Sequence, residues 1–506
     1  MIISKTTFLD YLYCSKNVWL KLHRPELLVH FVLSEFEKHL MEQGNEVESY
    51  ARNLFPGGVE VVATGEEACR ETVRFMTAKV PAIFQATFIV DGFIARNDAL
   101  VYDAENDRWD LYEVKGTNSV KENGPDHDHI DDLAFQASVL KHSHIEVGKY
   151  FLVHLNKEYI RDGELNIREL FVLDDETEKV LERLQTTEEQ MRGAKEYLTG
   201  ETEPIGGCEC LYQGRSRHCT TFGHSNPKVP AYSVHDISRI GLSKKKLESL
   251  VERGLYDLSD IPEDMSLSDI QWNQVRAHQS GTPTIHRGAI RKELEKLAFP
   301  LLFLDYETFA PAIPIFDRYR PYQRIPFQFS LHILKDPGDE LTHIEYLNAE
   351  RTDPSEAVLA LLEEHIGERG TIIAWNKSFE IGVNKELAVR FPTHREFIDR
   401  INAMFYDLRE IFQDQQYVHP AFKGSTSIKK VLPALVPELS YEDLGIKEGG
   451  QASDAWWTMV SPATSAQESA KISDDLKKYC ERDTYAMYAI WRKLYDLAGN
   501  ENGPAH

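Results

Sequence analysis

Two strand-like runs, WDLYEVKG around residue 113 and FPLLFLDYETF around residue 305, each carry a pair of ionisable residues two positions apart. Successive side chains on a strand alternate between faces, so Glu113 projects with Lys115, and Asp305 with Glu307. The second run is apolar around its acids. Burying two carboxylates there is costly unless a cation or another partner satisfies them, and a bound metal is the economical answer. The pairs lie roughly 190 residues apart, and at roughly 100 to 200 residues per domain the 506-residue chain suggests about three units.

The pattern along the chain gives those units approximate limits, all within an α/β class. Residues 1–225 read as mixed α/β, with helices first, then strands in FIARNDALVYD and WDLYEVKG, then a long amphipathic helix, DETEKVLERLQTTEEQMRGAKEYL. Residues 226–297 read as short helices and turns, a helical connector. A fresh α/β pattern runs over 298–497, from FPLLFLDYE through FQFSLHIL and TIIAWN to closing helices, and 498–506 reads as a flexible tail.

The net charge of -24, from 57 basic and 81 acidic residues, argues against a general nucleic-acid coat protein. It does not exclude a nuclease, because carboxylates collect where divalent ions bind and the ions reverse the local field. No segment approaches the ~20 consecutive apolar residues of a membrane span, and the N-terminus lacks a secretory pattern, so the expectation is a cytoplasmic protein with no membrane partner. In that compartment six cysteines read as thiols or metal ligands rather than disulfides. Cys14 stands near the start, Cys208, Cys210 and Cys219 cluster, and Cys69 and Cys480 read as ordinary small core residues.

A turn at Asp91–Gly92 precedes the strand of Asp98, and the turn in DAENDRW leads into that of Glu113 and Lys115. Asp98 can then join the pair, giving two acids for Mg2+ and a lysine to orient water and offset charge on a phosphate; the bland alternative is a solvent-facing Glu-x-Lys pair. Gly44 with Glu48 on an upstream helix, then Asp98, Glu113, Lys115 and Gln136 on a downstream helix, follow in an order that resembles the RecB-like branch of the PD-(D/E)XK nucleases. The resemblance implies a restriction-endonuclease-like fold over roughly the first 225 residues. It also implies a divalent site of Glu48, Asp98 and Glu113, with Lys115 and Gln136 as further catalytic residues. The tyrosine usual four residues after the glutamine is Leu140 here.

Cys14, Cys208, Cys210 and Cys219 also match the cysteine order of iron-sulfur RecB-like nucleases, including the CRISPR adaptation nucleases, which implies a structural [4Fe-4S] cluster. Such a cluster would close a loop of roughly 200 residues, as a crosslink does. The spacing here is Cys-x-Cys-x8-Cys rather than the usual Cys-x2-Cys-x5-Cys. Zinc suits thiolates equally well, with His218 or His224 able to replace one of them, and a metal-free cluster is the third option.

In the C-terminal pattern Glu380 follows the strand of IIAWNKSFE, and Tyr479 and Asp483 stand at helical i, i+4 spacing. Taken alone, the last two read as a core tyrosine and a capping aspartate. With FLDYE and NKSFE in order before them, the set resembles the DnaQ-like, or DEDD, exonucleases of RNase H-like fold, in the tyrosine subtype. That resemblance implies two divalent ions on Asp305, Glu307, Glu380 and Asp483, with Tyr479 positioning the attacking water. Glu380 stands where the family has aspartate. Asp407 and Lys429 are weaker candidates.

Together these readings lead to a metal-dependent nuclease acting on DNA with Mg2+ or Mn2+, RNA being a possible substrate, with a RecB-like site and a 3′-5′ exonuclease-like site. Two alternatives stand beside it: one catalytic site with the other domain as a nucleic-acid clamp, and a non-enzymatic scaffold in a repair or defence assembly.

Overall fold

The computed structural model describes residues 1–28, 35–122 and 128–499. The tail expected over 498–506 lies, from 500 onward, outside the described residues. The chain is mixed α/β and divides into two compact units. The first comprises Met1–Leu211, Arg217–Pro227 and Pro311–Tyr322; the second comprises Tyr212–Ser216, Lys228–Ala310 and Gln323–His506. Most of the expected connector, from 228 on, therefore counts with the second unit, and a twelve-residue segment from the C-terminal half counts with the first.

The first unit holds the strands β1 (Ile3–Ser4), β2 (Val59–Glu60), β3 (Ala82–Val90), β4 (Phe93–Asp103), β5 (Arg108–Lys115), β6 (Val147–Leu155) and β7 (Phe171–Asp175) in one sheet, in the order β2-β3-β4-β5-β6-β7 with β1 beside β4. The β3–β4 turn is Asp91–Gly92, both at positive φ (54° and 86°), the conformation a tight hairpin of right-handed twist requires. β5 pairs with β4 only from Ala99 onward, so the start of β4 is open to β1, which pairs in parallel at Phe93 and Ile94. That short parallel pairing fixes where the next residue, Lys5, begins its helix.

The helix His129–His142 is buried on nearly every side, as its continuous apolar composition demands. Its N-cap is Asp128, whose carboxylate accepts from the Ile130 amide. Beneath it lie Leu100, Leu111 and Leu152 of the sheet, and Val180, Met191 and Leu198 of the helix Thr177–Thr199.

The second unit is built on β9 (Leu301–Phe309), β10 (Ile325–Leu334), β11 (Thr342–Leu347), β12 (Thr371–Ala374) and β13 (Phe405–Asp407), in the order β11-β10-β9-β12-β13. β10 runs antiparallel to both β9 and β11, whereas β12 is parallel to β9 and β13 to β12. A two-stranded ribbon joins β8 (Thr284–Ile285) to β14 (Tyr417–Val418). Strand alternation splits β9 cleanly. Leu302, Leu304 and Tyr306 enter a core with Val358, Leu362, Val383 and Ile398. On the other face Phe303 meets Tyr488 and Trp491 of the helix Ala466–Gly499, and Phe309 meets Trp456. Between those aromatic anchors this second face carries Asp305 and Glu307.

Among the described residues no helix is long and apolar enough to cross a membrane.

Candidate functional site

In the first unit the helix–strand geometry gathers the expected set around Glu113, which is almost fully buried. Gln136, from the buried helix, donates to Glu113 Oε2 at 2.6 Å and accepts from Asn97 Nδ2 at 2.6 Å. Lys115 Nζ lies 2.9 Å from Glu113 Oε1 and also binds Asp132, one helical turn before Gln136. Asp98 Oδ2 accepts from the Val114 amide at 2.8 Å. Glu48, from the helix Glu35–Ala51, accepts from Arg52 (2.9 Å) and Gln85 (2.5 Å).

Sequence reasoning missed two participants. Lys5, delivered by β1, binds Glu113 Oε1 directly, and no local pattern marks it. Asp132 was visible in principle, four residues before Gln136 and so on the same helix face.

The electrostatics follow from these contacts. Burial alone would raise the Glu113 carboxyl, but the charges of Lys115 and Lys5 outweigh it and hold it below the usual range. Burial, with the Glu113 charge, pushes Asp98 up to about 8. One oxygen of Asp132, Oδ1, is buried without a hydrogen-bond partner. The site is thus largely neutralised by the chain's own lysines.

The second site is built differently. Asp305 and Glu307, side by side on β9, bring carboxylate oxygens within 4.8 Å of each other and of the Cys480 sulfur. Asp483, one helical turn after Tyr479 on the helix Ala466–Gly499, accepts from the Tyr441 hydroxyl at 2.6 Å. Glu380 sits in the first turn of the helix Lys377–Arg390, buried, with its Oε2 unpartnered. Lys429 Nζ is 5.7 Å from the Tyr441 ring centre and 5.8 Å from that of Tyr479. It lowers the cost of the Glu307 and Asp483 charges without an ion pair to either among the described contacts.

Burial first, then the mutual repulsion of Asp483, Glu307 and Glu380, pushes Asp305 well above the carboxylate range, and Glu307 shifts the same way. Burial raises Glu380 to about 8 and Asp483 to about 6. Asp407 adds to the repulsion on Glu380 but is itself held by backbone amides. Its carboxylate receives the Lys377 and Arg409 amides, each at 3.1 Å, and so anchors the N-terminus of Glu380's helix.

Cys480, expected to be an ordinary core residue, is buried but lies 4.0 Å from Asp305 Oδ2, because its helix presents it on the same side as Asp483. Tyr441 also escaped the sequence reading, standing in a loop without periodicity. Next to Asp483, Thr484 Oγ1 meets Ser330 Oγ (2.7 Å) and His332 Nδ1 (2.8 Å), pinning the helix to β10 at the site.

The four cysteines Cys14, Cys208, Cys210 and Cys219 converge in the first unit with all sulfurs within 4.8 Å of one another, and none is in a disulfide. His218 stacks on Phe222 and His224 binds Glu203 at 3.0 Å, so the thiols meet without a histidine.

Residues 302–427 match a family described as a domain of unknown function (DUF2779). That stretch contains Asp305, Glu307, Glu380 and Asp407 and ends before Tyr479 and Asp483. The uncharacterized protein MG366 homolog of Mycoplasma pneumoniae is 26% identical over 226 residues, 41% of this chain and 34% of the relative. The uncharacterized protein MG366 of Mycoplasma genitalium is 26% identical over 220 residues, covering 40% and 33%. The uncharacterized protein UU173 of Ureaplasma parvum is 27% identical over 230 residues, covering 41% and 33%. The chain thus spans about a third of the length of these relatives.

Proposed function

We propose that the chain is a metal-dependent phosphodiesterase, a nuclease acting on DNA, whose principal site is the acid cluster of the second unit. One observation carries the reading: four carboxylates from three separate segments lie close enough to repel one another in a buried place, where the described contacts supply hydrogen bonds and the longer-range charges of Lys429, Arg324 and Arg482 but no ion pair. Burying such a repulsive group is costly unless protons or a counter-charge offset it, and near neutral pH a metal ion is the stronger of the two. The donors are hard oxygens, which suit Mg2+ or Mn2+. Asp305, Glu307, Glu380 and Asp483 would hold the ions.

When bound, such ions supply Lewis acidity and a nucleophilic water at neutral pH. The chain's own part is positional. Tyr441 fixes the Asp483 carboxylate through its hydroxyl, Tyr479 places a phenol beside the acids, and Lys429 offsets negative charge from behind the two rings. The longer side chain of Glu380 takes the aspartate's place and keeps one oxygen free for a ligand.

The strand order β11-β10-β9-β12-β13, with β10 antiparallel, supports an RNase H-like reading of this unit and hence 3′-5′ trimming. In the first unit the arrangement of Glu113, Lys115 and Gln136, with Asp98 on the adjoining strand, supports the PD-(D/E)XK reading. Its lysine-neutralised state favours a second version of the proposal, in which catalysis belongs to the second unit and the first engages nucleic acid.

Lys115→Ala and Asp305→Ala, assayed on end-labelled single- and double-stranded DNA and RNA with Mn2+, separate these versions. The expected outcome is chelator-sensitive degradation from the 3′ end, lost in Asp305→Ala and retained in Lys115→Ala. Intact activity in Asp305→Ala sinks the reading of the second site.

A further inference from the structure

The cysteine quartet has a size, and the size discriminates between metals. A single zinc ion with Zn–S bonds of about 2.3 Å at the centre of a tetrahedron sets its sulfurs about 3.8 Å apart. A four-iron cubane interposes the cluster itself between the thiolates and holds them roughly 6 Å apart. Here Cys208 Sγ and Cys219 Sγ are 3.8 Å apart, and all four sulfurs lie within 4.8 Å of one another. The cubane implied by the family resemblance does not fit that space. We propose that Cys14, Cys208, Cys210 and Cys219 form a mononuclear tetrathiolate zinc site that fastens the start of the first unit to that unit's own segments around Cys210 and Cys219.

The surroundings suit a closed structural zinc. Cys14, Cys208 and Cys210 are buried, and Cys219 is partly so. Cys14 is the N-cap residue of the helix Ser15–His23, and its side chain makes no hydrogen bond to that helix's amides. Asn226 Nδ2 donates to Cys208 Sγ at 3.3 Å, one of the outer hydrogen bonds that orient metal-bound thiolates. Gly207 makes that contact possible, because a Cβ at this position would come 2.4 Å from Asn226 Oδ1.

Without metal, the Cys14 thiol can donate to Glu209 Oε2 at 3.4 Å. Loading then displaces one proton from each thiol into solvent, leaving four thiolates around one Zn2+, with no change of oxidation state. Zinc has no redox chemistry of its own, so oxygen reaches this staple only through its thiolates, whereas an iron-sulfur cluster is itself oxidised.

The test is metal analysis of the full-length chain purified both with and without oxygen, with its visible spectrum and thermal transition. The result expected is about one zinc per chain, no stoichiometric iron, a colourless protein and the same Tm in both preparations. Cys219→Ser, at the most accessible of the four, should lower zinc occupancy several-fold and lower Tm. Cobalt exchanged into the wild type should give the visible bands of a tetrahedral thiolate site. Iron at about four per chain with a brown colour in the oxygen-free preparation, a single iron, or no metal in either preparation overturns the proposal.

Discussion

Glu380 is the residue whose behaviour is least open to reinterpretation, because its buried Oε2 has no hydrogen-bond partner and the repulsion of Asp407 outweighs the attraction of Arg324. Burial raises its carboxyl to about 8 and that of Asp483 to about 6. The folded state therefore holds protons that the unfolded chain has already released across the interval from the ordinary carboxylate range up to those values. With a raised folded pKa, stability is greatest at the acid end and is lost as pH rises through it. The metal-free protein should accordingly lose thermal stability between about pH 5 and pH 8, and Mn2+, which competes with protons for these oxygens, should raise Tm more at pH 8 than at pH 6. Glu380→Gln should flatten the metal-free profile and shrink the Mn2+ effect. Thermal scans across pH, with and without Mn2+, check both statements, and a flat wild-type profile would count against the uncompensated cluster.

Elements decide why the two acid sites differ. The pairing of β1 with the start of β4, which β5 leaves unpaired, places Lys5 against Glu113, so a cation of the chain stands beside a carboxylate that the family resemblance assigns to metal. Lys5→Ala removes one of two lysines from a buried acid and should cost about 1–3 kcal/mol in the metal-free protein, with Mn2+ restoring part of the loss. Chemical denaturation with and without Mn2+ measures this, and an unchanged midpoint would mean that Lys5 does not support Glu113. The same pairing shows what sequence can and cannot reveal. Glu113 with Lys115, and Asp305 with Glu307, were legible because a two-residue period on a strand forces them together whatever the fold. Gln136 and Asp483 were legible through helical spacing and the order of motifs. Lys5 and Tyr441 were not, because one arrives through a two-residue strand and the other from a loop, and neither leaves a periodic trace. Cys480 is core as expected, but its approach to Asp305 was not legible, since a small buried residue looks the same in sequence whether its neighbour is leucine or aspartate.

At the scale of the whole molecule, the division of the chain in space differs from its division along the sequence. Ala312 and Ile313 enter a core with Val47, Ala51, Val153 and Tyr159 of the first unit, and the backbone of Arg161 pairs with that of Arg318 and Tyr319. A truncation ending at residue 297 leaves that apolar surface uncovered. It should show a lower Tm and greater aggregation than the full chain, whereas equal stability would mean that residues 311–322 add nothing to the first unit. The net charge of -24 belongs to this scale as well, because under the proposed function bound cations would have to reverse the field locally for a polyanion to approach. If the buried acids of the second unit form the proposed divalent-metal site, Mn2+ should bind them directly, with no catalytic step in between. Titration calorimetry of the wild type at pH 8 should show saturable binding that Asp305→Asn weakens at least about tenfold and Lys115→Ala leaves in place. Equal Mn2+ affinity in the wild type and Asp305→Asn would rule out a metal site at Asp305.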